Sequence, residues 1–121
     1  VHFAMTPFLL EPGEDMKLEN VRIRDIRING EGQKSLIRIK PVVNQYMRKK
    51  VPGSIKDIRV MNVKLTGSPG DYLVQLAGAD AQHRVQDVTF KNVRVLDRYV
   101  TRTWQRVRVG QHVKGVRFSG K

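Results

Sequence analysis

The chain has 121 residues, 40% of them hydrophobic, with a mean hydropathy of −0.43; that is enough for one domain with a sizeable core and too few for two. It holds no cysteine, which excludes disulfides and thiolate metal sites, and no apolar run reaches the length of a membrane-spanning helix. Lys and Arg number 23 against 11 Asp and Glu, a net charge of +12 and a pI near 10.6. So basic a balance favours polyanionic partners, whether nucleic acid, acidic polysaccharide or an anionic membrane surface; a solvated Arg-rich exterior is the competing reading.

In chain order, the start at Val1-His2-Phe3 shows neither a basic n-region nor a cleavage site, so no export signal is visible and a processed chain or an excised fragment is expected. Phe3-Ala4-Met5-Thr6-Pro7 alternates apolar and variable residues up to a breaker. Residues 18–28 form a longer alternating unit that recurs at 55–65 and 85–95 and begins again at Val113, with starts 37, 30 and 28 residues apart. Between these copies lie Ile37-Arg38-Ile39-Lys40-Pro41, Val74-Gln75-Leu76 and Val107-Arg108-Val109, which repeat the shorter pattern of the N-terminal segment. Period-two alternation of Val and Ile is the mark of half-buried strands. Residues 43–50 read as a loop protruding between two repeats, and Gly67-Ser68-Pro69-Gly70-Asp71 as a turn.

One such unit cannot bury its inward face alone, whereas stacked units place like residues above like. The predicted inward columns are Val21/Ile58/Val88/Val116, Ile23/Val60/Phe90/Phe118, Ile26/Val63/Val93 and Ile37/Val74/Val107. Asn20, Asp57, Asp87 and Gly115 share one repeat position, and Asp25, Asn62, Asn92 and Gly120 another. These residue types tolerate left-handed backbone, so both positions are predicted corners, with an amide ladder expected where Asn residues stack. The fold expected is all-β: a single domain over 1–121, a short right-handed parallel β-helix of about three full coils with partial coils at both ends. A sandwich of short strands is the competing fold.

Motifs such as Val88-Thr89-Phe90-Lys91-Asn92-Val93 resemble the repeats of right-handed β-helix proteins of the pectin lyase-like superfamily. The nearest group by resemblance is the polygalacturonase family of glycoside hydrolases, over about 3–118. Arg38-Ile39-Lys40 is similar to that family's Arg-Ile-Lys triplet, whose two cations bind sugar carboxylates; the resemblance implies that role for Arg38 and Lys40. Arg22-Ile23-Arg24 and Arg106-Val107-Arg108 have the same basic-apolar-basic form, common in a chain with 23 cations. The family's Asn-Thr-Asp, Asp-Asp and Gly-His-Gly motifs are missing from this sequence. Glycosidases need paired carboxyl groups, so no catalytic residue is assigned. If the resemblance holds, an extracellular or periplasmic location follows.

The outward columns Arg22/Arg59/Thr89/Arg117, Arg27/Lys64/Arg94 and Arg38/Gln75/Arg108 contain no acid; the acids fall mainly at corners and loops. Stacked cations repel unless an anion or an interleaved acid screens them. Arg38, Lys40, Arg22 and Arg59 are therefore the candidate substrate-binding residues, with acidic polysaccharide the expected partner ahead of nucleic acid, for which no recognition motif is present. His2, His83 and His112 lack metal-ligand spacing and read as surface or corner residues, and no metal or cofactor is implied. Tyr46, Tyr72, Tyr99 and Trp104 are candidate stacking surfaces, with packing as the competing role. Open strand edges at both ends predict end-to-end self-association or a missing N-terminal region.

Overall fold

The computed structural model describes residues 7–13, 15–43 and 51–119. Among them lie ten strands and no helix: β1 (Phe8–Leu10), β2 (Lys17–Glu31), β3 (Ser35–Ile39), β4 (Ser54–Ser68), β5 (Leu73–Leu76), β6 (Val85–Val95), β7 (Arg98–Tyr99), β8 (Val107–Val109), β9 (Val113–Lys114) and β10 (Arg117–Ser119). The protein is all-β and its sheets are parallel. A first sheet has the order β1-β3-β5-β8, and a second has the order β10-β6-β4-β2, with β9 also on β6. Apart from β7, which folds back onto β6, and β10, which follows β9 along the same strand β6, the chain visits the two sheets alternately.

The register carries the expected columns. Val21 lies beside Ile58 and Ile58 beside Val88; Ile23, Val60, Phe90 and Phe118 follow one another, as do Ile26, Val63 and Val93. On the first sheet Ile37, Val74 and Val107 align. Alternation sends these side chains into one apolar core, where Ile58, Val63, Val74, Val88 and Phe90 are at most 1% exposed. Phe90 and Phe118 stack with ring centroids 5.2 Å apart and planes 10° from parallel. Val116 lies outside a strand but packs against the same core.

Left-handed residues bend the long strands where the sequence predicts corners. Asn20, Asp57 and Asp87 have φ of 58°, 58° and 55°, and Gly115 follows at 70°; Asp25, Asn62 and Asn92 have φ of 56°, 53° and 52°. Asn and Asp occupy this region at lower cost than other side chains because they hydrogen-bond locally. The second corner carries the ladder: Asn62 Nδ2 donates to Asp25 Oδ1 at 3.1 Å, and Asn92 Nδ2 to Asn62 Oδ1 at 3.0 Å. Its foot is a carboxylate, not an amide, and an acceptor-only group suits the end of a one-way chain of donors.

Three expectations change. The first strand among the described residues is Phe8–Leu10, and Phe8 sits beside Ile37. Phe8-Leu9-Leu10-Glu11-Pro12 matches Ile37-Arg38-Ile39-Lys40-Pro41 through to the proline, but apolar Leu9 at an outward position hides the alternation; Leu9 is 47% exposed. The turn expected at 67–71 starts late, because β4 runs through Ser68. A short hairpin also interrupts the parallel order: Arg94 pairs with Tyr99 and Val95 with Arg98, antiparallel, across Leu96 at φ 55°. The readings at Phe3, the loop residues 44–50 and Gly120 lie outside the described residues.

Candidate functional site

The four candidate cations divide between two faces. Ile37 and Ile39 are buried, so alternation turns Arg38 outward from the first sheet, in line with Leu9, Gln75 and Arg108. Exposed Lys40 follows, and its N–H donates to Leu10 O at 3.0 Å. Arg38, Lys40, Gln75 and Arg108 line one open groove of about 450 Å³, with Val107 and Val109 at its edge. Arg38 is not a free cation: its Nε lies 3.4 Å from Glu11 Oε2. Gln75 Oε1 accepts from Ser35 Oγ at 3.3 Å, and Arg108 Nη1 donates to the Gln105 carbonyl.

Arg22 and Arg59 stand side by side on the second sheet, apart from the Arg38 groove. Between them is Asp57. Its Oδ2 lies 3.1 Å from Arg22 Nη2 and its Oδ1 3.5 Å from Arg59 Nε, while its carbonyl accepts from Arg22 Nη1 at 3.3 Å. The left-handed corner at Asp57 thus also supplies the interleaved acid that two neighbouring arginines need. Sequence placed Asp57 only as a corner residue. The adjoining depression, about 440 Å³, mixes Arg59, Arg117 and Lys56 with Glu19, Asp57 and Asp87. It has no single sign to offer a polyanion.

His83 holds a more specific arrangement than a bare corner. Asp80 begins an Asx turn, its Oδ1 accepting from the N–H groups of Gln82 and His83 at 2.8 Å each. The same carboxylate meets His83 Nδ1 at 2.9 Å, and Asp15 Oδ1 meets Nε2 at 3.1 Å. With a carboxylate at each ring nitrogen, the imidazolium alone can donate to both. Hydrogen bonding to Asp80, then to Asp15, raises the His83 pKa above its ordinary 6.5. Hydrogen bonds from Gln82 N–H and then from His83 hold Asp80 below 3.8. The Asp80–His83 spacing was visible in the sequence, whereas Asp15 arrives from 68 positions away. His112 forms a left-handed turn at φ 57°, its carbonyl accepting from Val85 N–H; His2 lies outside the described residues. Among the described residues no group of three or more His, Cys, Asp or Glu is placed to hold a metal ion.

Of the aromatic candidates, Tyr72 is wholly buried, so it is a core residue and not a stacking surface. Its hydroxyl accepts from Gly32 N–H at 2.9 Å and donates to the Ser68 carbonyl. A buried phenol finds such partners because an unpaired one would be costly. Trp104 packs partly against the core, and with Tyr99, Asp97 and Arg106 it lines a hollow of about 630 Å³. Tyr46 lies outside the described residues. No helix of the described residues is long and apolar enough to cross a membrane. No family model, no curated protein and no solved structure matches this chain.

Proposed function

We propose that the chain winds as a right-handed parallel β-helix of the pectin lyase-like kind and binds an acidic polysaccharide on the outward face of its first sheet. Alternation between two parallel sheets supports the winding, and crossovers between parallel strands of one sheet are almost always right-handed. The observation that carries the binding is the groove joining Arg38, Lys40 and Arg108. Arg38 and Arg108 stand two strand steps apart, about 10 Å, a spacing suited to a polymer that carries an acid on each sugar. Glu11 holds the Arg38 guanidinium in place, and Gln75 between two arginines adds a neutral hydrogen-bonding group.

The chain is read as a binding module related to polysaccharide-active glycoside hydrolases, not as the supplier of their acids. Glu11 is engaged with Arg38, Asp57 with two arginines, and Asp15 and Asp80 with His83. Carboxylates so committed are held by cations, whereas a glycosidase needs a pair left to the glycosidic bond. Part-exposed apolar columns on β2 and β10 also support stacking of one copy on another; a mass constant across concentration in sedimentation would remove that part.

Calorimetric titration with oligogalacturonate tests the binding. Replacing Arg38 and Lys40 together by Gln removes two charge-assisted contacts worth about 1.5–3 kcal/mol each, so affinity falls at least about tenfold. Undiminished affinity, or equal binding of an uncharged oligosaccharide, sinks the reading. Release of reducing ends from polygalacturonate by the chain itself would replace it with catalysis.

A further inference from the structure

The three outward columns differ in how their charge is met. Arg22 and Arg59 share Asp57, and Thr89 separates them from Arg117. Arg38 has Glu11, and Gln75 separates it from Arg108. The third column runs Arg27, Lys64, Arg94 on β2, β4 and β6 without a neutral residue between. Among the described residues none of these three has a carboxylate partner. Arg94 Nε donates to the Leu96 carbonyl at 3.1 Å, and its guanidinium lies 5.9 Å from the centre of the Tyr99 ring; exposed Arg27 and Lys64 have no such tie.

Beside this column stands the Asp25–Asn62–Asn92 ladder, and both line one groove of about 500 Å³ that Tyr99 also lines. Each ladder amide carries two N–H donors. One is spent on the rung before it, and the other has no protein acceptor among the described residues. Three uncompensated cations in register are destabilising as they stand. An anion laid along them would relieve the repulsion.

We propose that this groove is a second binding track for an acidic sugar chain, independent of the first-sheet face. It shares with the proposed function only the class of ligand; none of its residues is common to the two. Sugar carboxylates pair with Arg27, Lys64 and Arg94, while ring hydroxyls accept from the open N–H groups of Asn62 and Asn92 and donate to Asp25. The last contact separates a sugar chain from nucleic acid. The phosphodiester backbone of DNA carries no hydroxyl to give Asp25, and one tyrosine is too few for a strand that binds by stacking base after base.

Residue-resolved NMR on the full chain tests this, following the side-chain NH₂ signals of Asn62 and Asn92 and the backbone amides of Arg38 and Arg108 during titration with oligogalacturonate. The expected result is two molecules per chain, with both sets of signals shifting. In the Arg27→Gln/Lys64→Gln variant, both changes being at exposed positions, the ladder shifts need at least about tenfold more ligand, the loss of about 1.4 kcal/mol or more, while the Arg38 and Arg108 shifts are unchanged. Ladder shifts without first-sheet shifts would uphold the second track and overturn the proposed function. First-sheet shifts alone, or ladder shifts of unaltered affinity in the variant, overturn the second track and leave the first standing. Equal ladder shifts with oligothymidylate reduce it to unspecific charge and overturn it as a sugar site; no shift anywhere overturns both.

Discussion

Single positions in this protein often answer two demands at once. Asp57 makes a left-handed corner and pairs two arginines; Tyr72 fills core volume and satisfies backbone groups of Gly32 and Ser68. Gly30 is the complement of Tyr72: a Cβ there would lie 2.9 Å from Leu65 Cδ2 and crowd the Tyr72 ring. Gly30→Ala should therefore lower stability by about 1–3 kcal/mol, the usual cost of overpacking, read as a lower urea midpoint. Phe90→Ala removes the ring that stacks on Phe118 and should cost about 3–5 kcal/mol, measured in the same way. His83 gives a pH signature. Its folded pKa is raised, so its contribution is complete below about 6.5, the unfolded value, and is lost as pH rises through the raised folded value. Asp80 runs the other way: with its folded pKa lowered, its contribution is present above about 3.9 and lost as pH falls through the lowered value. The melting-temperature difference between wild type and His83→Ala should thus be largest near pH 5 and shrink toward pH 9. A difference independent of pH would show that the imidazole contributes only packing.

At the scale of elements, the ladder couples β2, β4 and β6 at a corner where each strand pays for left-handed backbone. Asn62 is the central rung, donating to Asp25 and accepting from Asn92 at φ 53°. Alanine there loses both hydrogen bonds and adds about 1–2 kcal/mol of left-handed strain, whereas glycine loses the bonds alone. Asn62→Ala should therefore be more destabilising than Asn62→Gly in chemical denaturation. The reverse order would mean that the amide, and not the backbone angle, selects asparagine. Among the named strands of the described residues the β6–β7 hairpin departs from the parallel order, and it places Tyr99 against Arg94 in the lining of the second groove. Nothing in the period of the preceding strand announced it. Two residues, Leu96 and Asp97, suffice to reverse the chain, and Leu96 N–H still donates to Leu65 O on the neighbouring strand.

For the whole molecule, a net charge of +12 on 121 residues opposes compaction by self-repulsion. Where the column of Arg27, Lys64 and Arg94 has no internal acid, salt must do the screening. Thermal stability should rise as ionic strength goes from about 0.01 M to about 0.15 M, over which the Debye length falls from about 30 to about 8 Å. Oligogalacturonate at low salt should raise it further, and the gain should diminish at high salt. A melting temperature that falls on adding moderate salt would show that the ion pairs at Asp57, Glu11 and His83 outweigh the repulsion.

Much of this was written locally. Period two assigns each Val and Ile a side, and the same internal pattern in each copy aligns Val21 with Ile58 and Val88 although the copies start 37 and 30 residues apart. Asn and Asp at recurring positions marked the corners because tolerance of positive φ belongs to the residue itself. The groove residues Arg38, Lys40, Arg27 and Lys64 were legible as outward cations for the same reason. What only the tertiary structure decided is which charges meet. Asp57 and Glu11 reach Arg22 and Arg38 diagonally across neighbouring strands, and Asp15 reaches His83 from 68 positions away; the repeat gives each residue a side but not the side-chain reach that closes the pair. Those meetings leave one basic column compensated, another tethered and a third open, and that difference depends on distances of about 3 to 4 Å that a sequence repeat does not encode.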